Sequence, residues 1–189
     1  MRVIGGSARG RHLAAPKGSD VRPTSDRARE AIFDVLSHLG ALQGATVLDL
    51  FAGTGAFGIE ALSRGATSAT FVESTRLHAD AITANLASTG LAGPGAKVIC
   101  GDALGYLERN REHFSLCFAD PPYAFEGWEE LLGVLPGELV VLESSRPIEL
   151  DSAHELHRVY RYGGTLVTVA RRIEPSAGDQ TGFESEPPA

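Results

Sequence analysis

Val47-Leu48-Asp49-Leu50-Phe51-Ala52-Gly53-Thr54-Gly55-Ala56-Phe57-Gly58 is the stretch on which the reading of this chain turns. An apolar run carrying an acid passes into Gly53-x-Gly55-x-x-Gly58, and a helix-compatible segment follows as far as Arg64, with Gly65 as its stop. Strand, glycine turn and helix in that order open a nucleotide-binding α/β sheet. Glycines accept positive φ and let a ligand approach the backbone, and the helix N-terminus beyond them favours an anionic group. The glycine spacing alone is shared with dehydrogenases, so its neighbours must discriminate.

Outward from this stretch, apolar strands and helices alternate. Strands are predicted at 45–51, 68–73, 97–100, 115–119 and 138–143. Helices are predicted from the glycine turn to 64 and at 77–88, 103–111 and 128–135. Continuous apolar strands separated by helices predict a parallel sheet covered on both faces. The end of the chain departs from this rhythm. Strands at 154–162 and 165–172 are joined at Gly163-Gly164, which predicts an antiparallel hairpin and separates the fold from an ordinary dinucleotide-binding domain. Upstream, Thr24 or Ser25 is a candidate N-cap. Ala28, Ala31, Ile32, Val35, Leu36 and Leu39 then form one apolar helix face closed by Gly40.

Asp49 ends the first strand four residues before Gly53, where it faces a ligand in the glycine turn. A carboxylate there repels pyrophosphate and attracts the ammonium and sulfonium of S-adenosylmethionine. The alternative is that Asp49 only caps the glycine loop. Ala52, Gly53, Thr54 and Gly55 form the turn itself. Glu73 ends the second strand 18 residues after Gly55, where an acid can accept both ribose hydroxyls. Asp102, followed by Ala103, is placed to accept an adenine amino group, to N-cap the next helix, or both.

Asp120-Pro121-Pro122-Tyr123 follows the fourth strand, at the sheet edge where open α/β folds bind ligands. An exocyclic amine on a base is a poor nucleophile because its lone pair is delocalised into the ring. The Asp120 carboxylate and the Pro121 carbonyl, each accepting one of its N–H bonds, would draw it toward a tetrahedral geometry. Tyr123 would stack on the base. The prolines stiffen the turn and pre-place the acceptors, so positioning would supply much of the rate.

Charge is unevenly distributed. The net charge is −7, yet residues 1–29 hold seven basic residues and two acidic ones, against ten basic and twenty-two acidic in the remainder. Arg2, Arg9, Arg11, Lys17, Arg22 and Arg27 are therefore candidate phosphate contacts in a basic arm over 1–23. The arm is short of apolar residues, so it is expected to be mobile or loosely packed without RNA. Its deletion is expected to spare cofactor binding and remove RNA binding; the bland alternative is a solvated extension. A catalytic body over 24–173 and a disordered acidic tail over 174–189 complete the organisation. The N-terminus has no apolar leader and no segment is long enough to span a membrane, so a cytoplasmic protein is expected. Cys100 and Cys117 both lie in predicted strands and are expected to be buried thiols. The six histidines show no ligand spacing, and no metal is expected.

Together the two central motifs resemble those of class I amino-methyltransferases. Arg2-Val3-Ile4-Gly5-Gly6, Arg9-Gly10-Arg11, Pro16, Arg22-Pro23-Thr24-Ser25-Asp26-Arg27-Ala28-Arg29-Glu30 and Ser63-Arg64-Gly65-Ala66 narrow the resemblance to the RsmD family, over about residues 1–172. That resemblance implies a Rossmann-like sheet of seven strands, mostly parallel, with an antiparallel C-terminal hairpin and helices on both faces. It also implies a monomer that methylates guanine N2 in the 16S rRNA hairpin loop near the P site, on naked rRNA or on a small-subunit particle. By it, Asp49, Gly53, Gly55, Glu73 and Asp102 become cofactor contacts, and Asp120 and Tyr123 become amine and base contacts. Asp34 stands where the family commonly has Asn after Phe33, and it keeps a polar acceptor. A DNA adenine-N6 methyltransferase, a protein-glutamine methyltransferase and a non-catalytic RNA-binding module are the rival readings.

Overall fold

The computed structural model describes residues 1–16 and 26–173. Lys17, Arg22, the N-cap expected at Thr24 or Ser25, and the tail over 174–189 lie outside the described residues. Twelve elements follow in the described chain. They are α1 (Asp26–His38), β1 (Thr46–Leu50), α2 (Ala56–Ser63), β2 (Ser68–Glu73), α3 (Arg76–Thr89), β3 (Ala96–Cys100), α4 (Ala103–Arg109), β4 (Phe114–Ala119), α5 (Trp128–Val134), β5 (Gly137–Ser144), β6 (His154–Tyr162) and β7 (Thr165–Arg172). They build one seven-stranded sheet in the order β3-β2-β1-β4-β5-β7-β6. The four pairings from β3 to β5 are parallel, and β7 returns antiparallel between β5 and β6.

Strand alternation divides the core in two. Val47, Phe71, Leu116, Phe118, Val141 and Val167 point to one face, where Ile32, Phe33 and Leu36 of α1, Phe57 and Ile59 of α2, and Ile82 and Leu86 of α3 cover them. Leu48, Leu50, Cys117, Val140 and Leu142 point to the other, against Ala103 and Leu107 of α4 and Leu131 and Leu132 of α5. On the first face Phe57 stacks on Phe118 with ring centroids 4.9 Å apart, and Phe33 packs against both.

Helix α1 buries more than its apolar face. Arg29 and Phe33 are fully buried beside Ala28, Ile32 and Leu36. The Arg29 guanidinium donates to the Arg2 carbonyl and pairs with Asp26 at 3.1 Å, and burial lowers its pKa. Arg64 lies over the Phe33 ring at 5.2 Å and reaches Asp34 at 3.8 Å.

The expectation of a mobile arm is corrected over residues 1–16. Val3, Ala8 and Leu13 are buried in the first core, and the segment closes on itself through an Arg2–His12 bridge. Its backbone is tied to the body by buried polar side chains. Glu60, in the middle of α2, accepts from the amides of Ile4 and Gly5 at 2.7 Å each and from Arg64 Nε at 2.7 Å. Ser63 donates to the Gly5 carbonyl and accepts from the Ala8 amide. Asn85 of α3 makes both hydrogen bonds to the backbone of Ala14 and also donates to the Thr54 carbonyl in the glycine turn. Gly6 has φ +74, and a Cβ there would lie 1.8 Å from the Ser63 carbonyl oxygen, so this close approach requires glycine. The arm therefore has no core of its own because it shares that of the body.

A second correction concerns the thiols. Cys117 is buried in β4, and burial pushes its pKa up, whereas Cys100 ends β3 at the sheet edge and is exposed. No helix among the described residues is long and apolar enough to cross a membrane.

Two outcomes follow from the docked arm. Glu60→Ala removes the acceptor of two part-buried amides and of the Arg64 Nε–H, and should lower unfolding free energy by about 3 kcal/mol in urea titrations. Deletion of residues 1–16 should destabilise the body further, because it also uncovers the apolar surface beneath Val3, Ala8 and Leu13.

Candidate active site

Four acids end adjacent strands on one face of the sheet. Glu73 follows Phe71 by two residues on β2, Asp49 follows Val47 on β1, Asp120 follows Phe118 past β4, and Glu143 follows Val141 on β5. Strand residues two apart share a face, so all four project from the side covered by α1, α2 and α3, at the carboxyl edge. Glu143 carries no motif signal and was missed in the sequence. Its position level with Asp120, given by the Phe118–Val141 register, brings it into the site.

Between β1 and α2 the chain makes a tight reversal. Phe51 has φ 56, a left-handed conformation unusual for an aromatic residue, and Gly53 and Gly55 have φ 55 and 77. Phe51 is held there by its edge contact with Phe125, whose ring packs in turn on Trp128. The strain at Phe51 is invisible in the sequence, where it reads as one more strand residue.

The carboxylates hold this turn before any ligand does. The Gly58 amide donates to Asp49 Oδ2 at 2.8 Å, so Asp49 does cap the glycine turn and its helix. Burial, with Glu73 nearby, raises the Asp49 pKa to about 7. Glu73 Oε2 accepts from the Gly53 amide at 2.9 Å, and Oε1 accepts from the amide and hydroxyl of Thr75. His78 lies 3.6 Å from the same oxygen. Among the described residues Oε2 accepts a single N–H, so it keeps acceptor capacity for a ligand donor. Asp102 is exposed and N-caps α4 through the Gly105 amide at 2.8 Å; Ala103 behind it is buried. Ala52 and Thr54 are buried too, and Thr54 Oγ donates toward Met1 Sδ, so of the predicted turn residues Gly53 is the more accessible.

Asp120 is partly buried, and its pKa is raised well above the carboxylate range by burial, with the charges of Glu143 and Asp49 adding to it. Pro121 is buried, Tyr123 is 51% exposed, and the Phe125 amide donates to the Pro122 carbonyl to close the turn. Pro121, Pro122, Tyr123, Glu143 and Ser144 line part of a cleft of about 210 Å³, open mouth included. The Tyr123 hydroxyl is 3.4 Å from Thr165 Oγ at the start of β7. The arginines are dispersed by comparison. Arg2, Arg9, Arg11 and Arg27 are exposed, with Arg2 facing Asp26 at 3.7 Å and Arg11 donating to the Ser88 carbonyl.

The donor set fits a ligand carrying positive charge and hydroxyls. A diphosphate would meet four carboxylates across three strand intervals, whereas a sulfonium and an ammonium would relieve their repulsion. A Rossmann-like sheet closed by an antiparallel hairpin, with this turn on β1 and an acid-Pro-Pro-Tyr turn after β4, defines the class I methyltransferase fold.

A family model described as conserved hypothetical protein 95 matches residues 1–171. The chain belongs to that family, the RsmD family of the sequence resemblance. The Escherichia coli protein named ribosomal RNA small subunit methyltransferase D is 38% identical over 135 residues, which are 71% of this chain and 66% of that protein. Bacillus subtilis YlbH is 36% identical over 185 residues, 91% of this chain and 99% of its own. The solved structure of Escherichia coli yhhF superposes with a TM-score of 0.80 at 33% identity, covering 91% of this chain and 97% of the other.

The raised pKa of Asp49 has a sign for stability. Its folded value near 7 exceeds the ordinary 3.8, so the native state holds the proton more tightly than the unfolded chain. The contribution of Asp49 to the stability of the ligand-free protein should then be fully present below about pH 4 and be lost as pH rises to about 7, by an amount on the order of 4 kcal/mol. Asp49→Asn keeps an oxygen for Gly58 and should remove this decline. Thermal unfolding of both proteins between pH 4 and 8 tests it, and parallel curves would disprove it.

Proposed function

We propose that this chain transfers a methyl group from S-adenosylmethionine to the exocyclic N2 amine of a guanine in 16S rRNA of the small ribosomal subunit, in the hairpin loop near the P site. The observation that carries the reading is the placement of Asp120-Pro121-Pro122-Tyr123 at the carboxyl end of β4, one strand from the glycine turn of β1. The name of the Escherichia coli relative supports an rRNA substrate.

S-adenosylmethionine, when bound, supplies the electrophilic methyl group. Glu73 and Asp102 would hold its nucleoside, and Asp49 with Gly53 and Gly55 its charged portion. The Asp120 carboxylate accepts one N–H of the target amine and the Pro121 carbonyl accepts the other, which aims the nitrogen lone pair away from both. Tyr123, exposed at the mouth of the cleft, stacks on the base and fixes its plane. Methylation leaves the nitrogen positively charged and acidic, so its proton passes readily to Asp120. Asp120 must be ionised to accept, and Glu143 beside it opposes that ionisation.

Mass-spectrometric mapping of rRNA from cells lacking the protein should show loss of one methyl from a small-subunit guanine N2, restored by wild type and not by Asp120→Ala. Loss of an adenine or protein methyl instead would overturn the assignment. Calorimetry should show S-adenosylmethionine binding weakened by about 1–3 kcal/mol in Glu73→Ala. In turnover measurements the acidic limb of the pH profile should move to lower pH in Glu143→Gln, since removing a neighbouring negative charge lowers the Asp120 pKa.

A further inference from the structure

Beyond the methyl-transfer site, the free edge of the sheet carries an organised row of side chains. Tyr160 and Tyr162 of β6 lie two residues apart on one face, with ring centroids 6.4 Å apart and planes within 12° of parallel. The Arg158 guanidinium sits over the Tyr160 ring at 5.7 Å and continues the row. Register ties the row to the site. Tyr162 pairs with Thr165, the residue that meets the Tyr123 hydroxyl, and Tyr160 pairs with Val167, which pairs with Glu143 on β5. Arg158, Tyr160 and Tyr162 thus share the face of the four carboxylates. They begin at the carboxyl edge three strand intervals from Asp120, about 14 Å at the usual strand spacing. β6 is the outermost strand of the sheet, and both rings are half-buried at the margin of the first core.

Charge singles out the same element. The β6–β7 hairpin, residues 154–172, carries Arg158, Arg161, Arg171 and Arg172 against Glu155, while the chain beyond residue 29 is strongly acidic. Arg158 and Arg161 are exposed. Parallel aromatic rings flanked by arginine on an open strand are the composition with which proteins hold unpaired nucleotides, by stacking and by phosphate attraction.

We propose that Arg158, Tyr160 and Tyr162 form a stacking platform for the single-stranded RNA that flanks the target nucleotide, leading it along the edge of the sheet into the cleft at Tyr123. The proposal rests on the RNA-methyltransferase reading. It adds a subsite on the terminal hairpin to the basic residues of the docked arm. The target base leaves its stack to enter the cleft, and its neighbours exchange base stacking for the two tyrosine rings.

The test uses the full-length protein and a fluorescein-labelled twelve-nucleotide oligoribonucleotide of mixed sequence, read by anisotropy. Tyr160→Ala/Tyr162→Ala should weaken binding at least tenfold, and Tyr160→Phe/Tyr162→Phe should bind within threefold of wild type, because stacking survives loss of the hydroxyls. Arg158→Gln should flatten the log-affinity against log-salt slope by about 0.7, the value for one single-strand phosphate contact. As a second measurement independent of the alanine variant's folding, the same oligonucleotide carrying 5-iodouridine should photocrosslink to Tyr160 or Tyr162 in wild type. Wild type that binds and methylates RNA, with unchanged affinity in the double alanine variant and crosslinks elsewhere, would overturn the platform and leave the methyltransferase reading standing. Wild type that does not bind the oligonucleotide would overturn the platform, while the methyltransferase reading stands or falls on the rRNA mapping. Variants that alter sedimentation of the free protein without altering RNA affinity would assign the edge to a second copy of the chain, and would also overturn it.

Discussion

A single buried carboxylate, Glu60, connects the parts of this molecule that matter most. It sits in the middle of α2 with its side chain out of water, and two amides of the N-terminal segment and the Arg64 guanidinium satisfy its oxygens. Two residues earlier the Gly58 amide is held from the sheet by Asp49. Helix α2 is therefore fixed from both sides, by an acid of its own and by an acid of β1. Since α2 begins at the glycine turn, the position of that turn follows. A buried charge that has lost its partners is far more costly than an apolar residue in the same place, so these ties enforce one arrangement rather than merely favouring it.

The second constraint is electrostatic. Parallel strands bring their carboxyl ends to one edge, and four of them end in acids on the same face. Burial lifts the Asp49 and Asp120 pKa values, and repulsion among these groups adds to it. The site is thereby under-stabilised without a cation and gains from ligands that carry one. The same arrangement explains how a chain of net charge −7 is compatible with a polyanionic partner. Four of its acids converge at the cleft, while exposed arginines lie on the N-terminal segment and on the terminal hairpin.

Much of this was legible in the residue pattern. The strands 68–73, 154–162 and 165–172 coincide with β2, β6 and β7, and the other elements differ by one or two residues at their ends. Periodicity works there because each element buries one face against a neighbour. Asp49 and Asp120 could be singled out because fixed spacing ties them to glycines and prolines. Glu60, Arg29 and Glu143 could not, because a charged residue on a helix or strand reads as solvent-facing until its partners are known, and those partners lie far away in sequence. The N-terminal segment misled for a related reason. Val3, Ala8 and Leu13 recur every five residues, a spacing that matches neither helix nor strand, and the basic residues between them dominate the composition. What they bury against is the body, about 55–70 residues further on.

That separation governs the order in which the molecule can be assembled. The N-terminal segment leaves the ribosome first, but Glu60, Ser63 and Asn85 must follow before its amides and apolar residues have anywhere to go. At ordinary synthesis rates of about 5–20 residues per second the wait lasts about 3–14 seconds. During it the first sixteen residues are an unfolded cationic tether at the mouth of the exit tunnel, and contacts this non-local form late in the folding trajectory. A nascent chain of this protein would thus hold its arginine-bearing end free until translation of α3 is complete, after which the same end becomes the clasp that locks the finished sheet and its helices together.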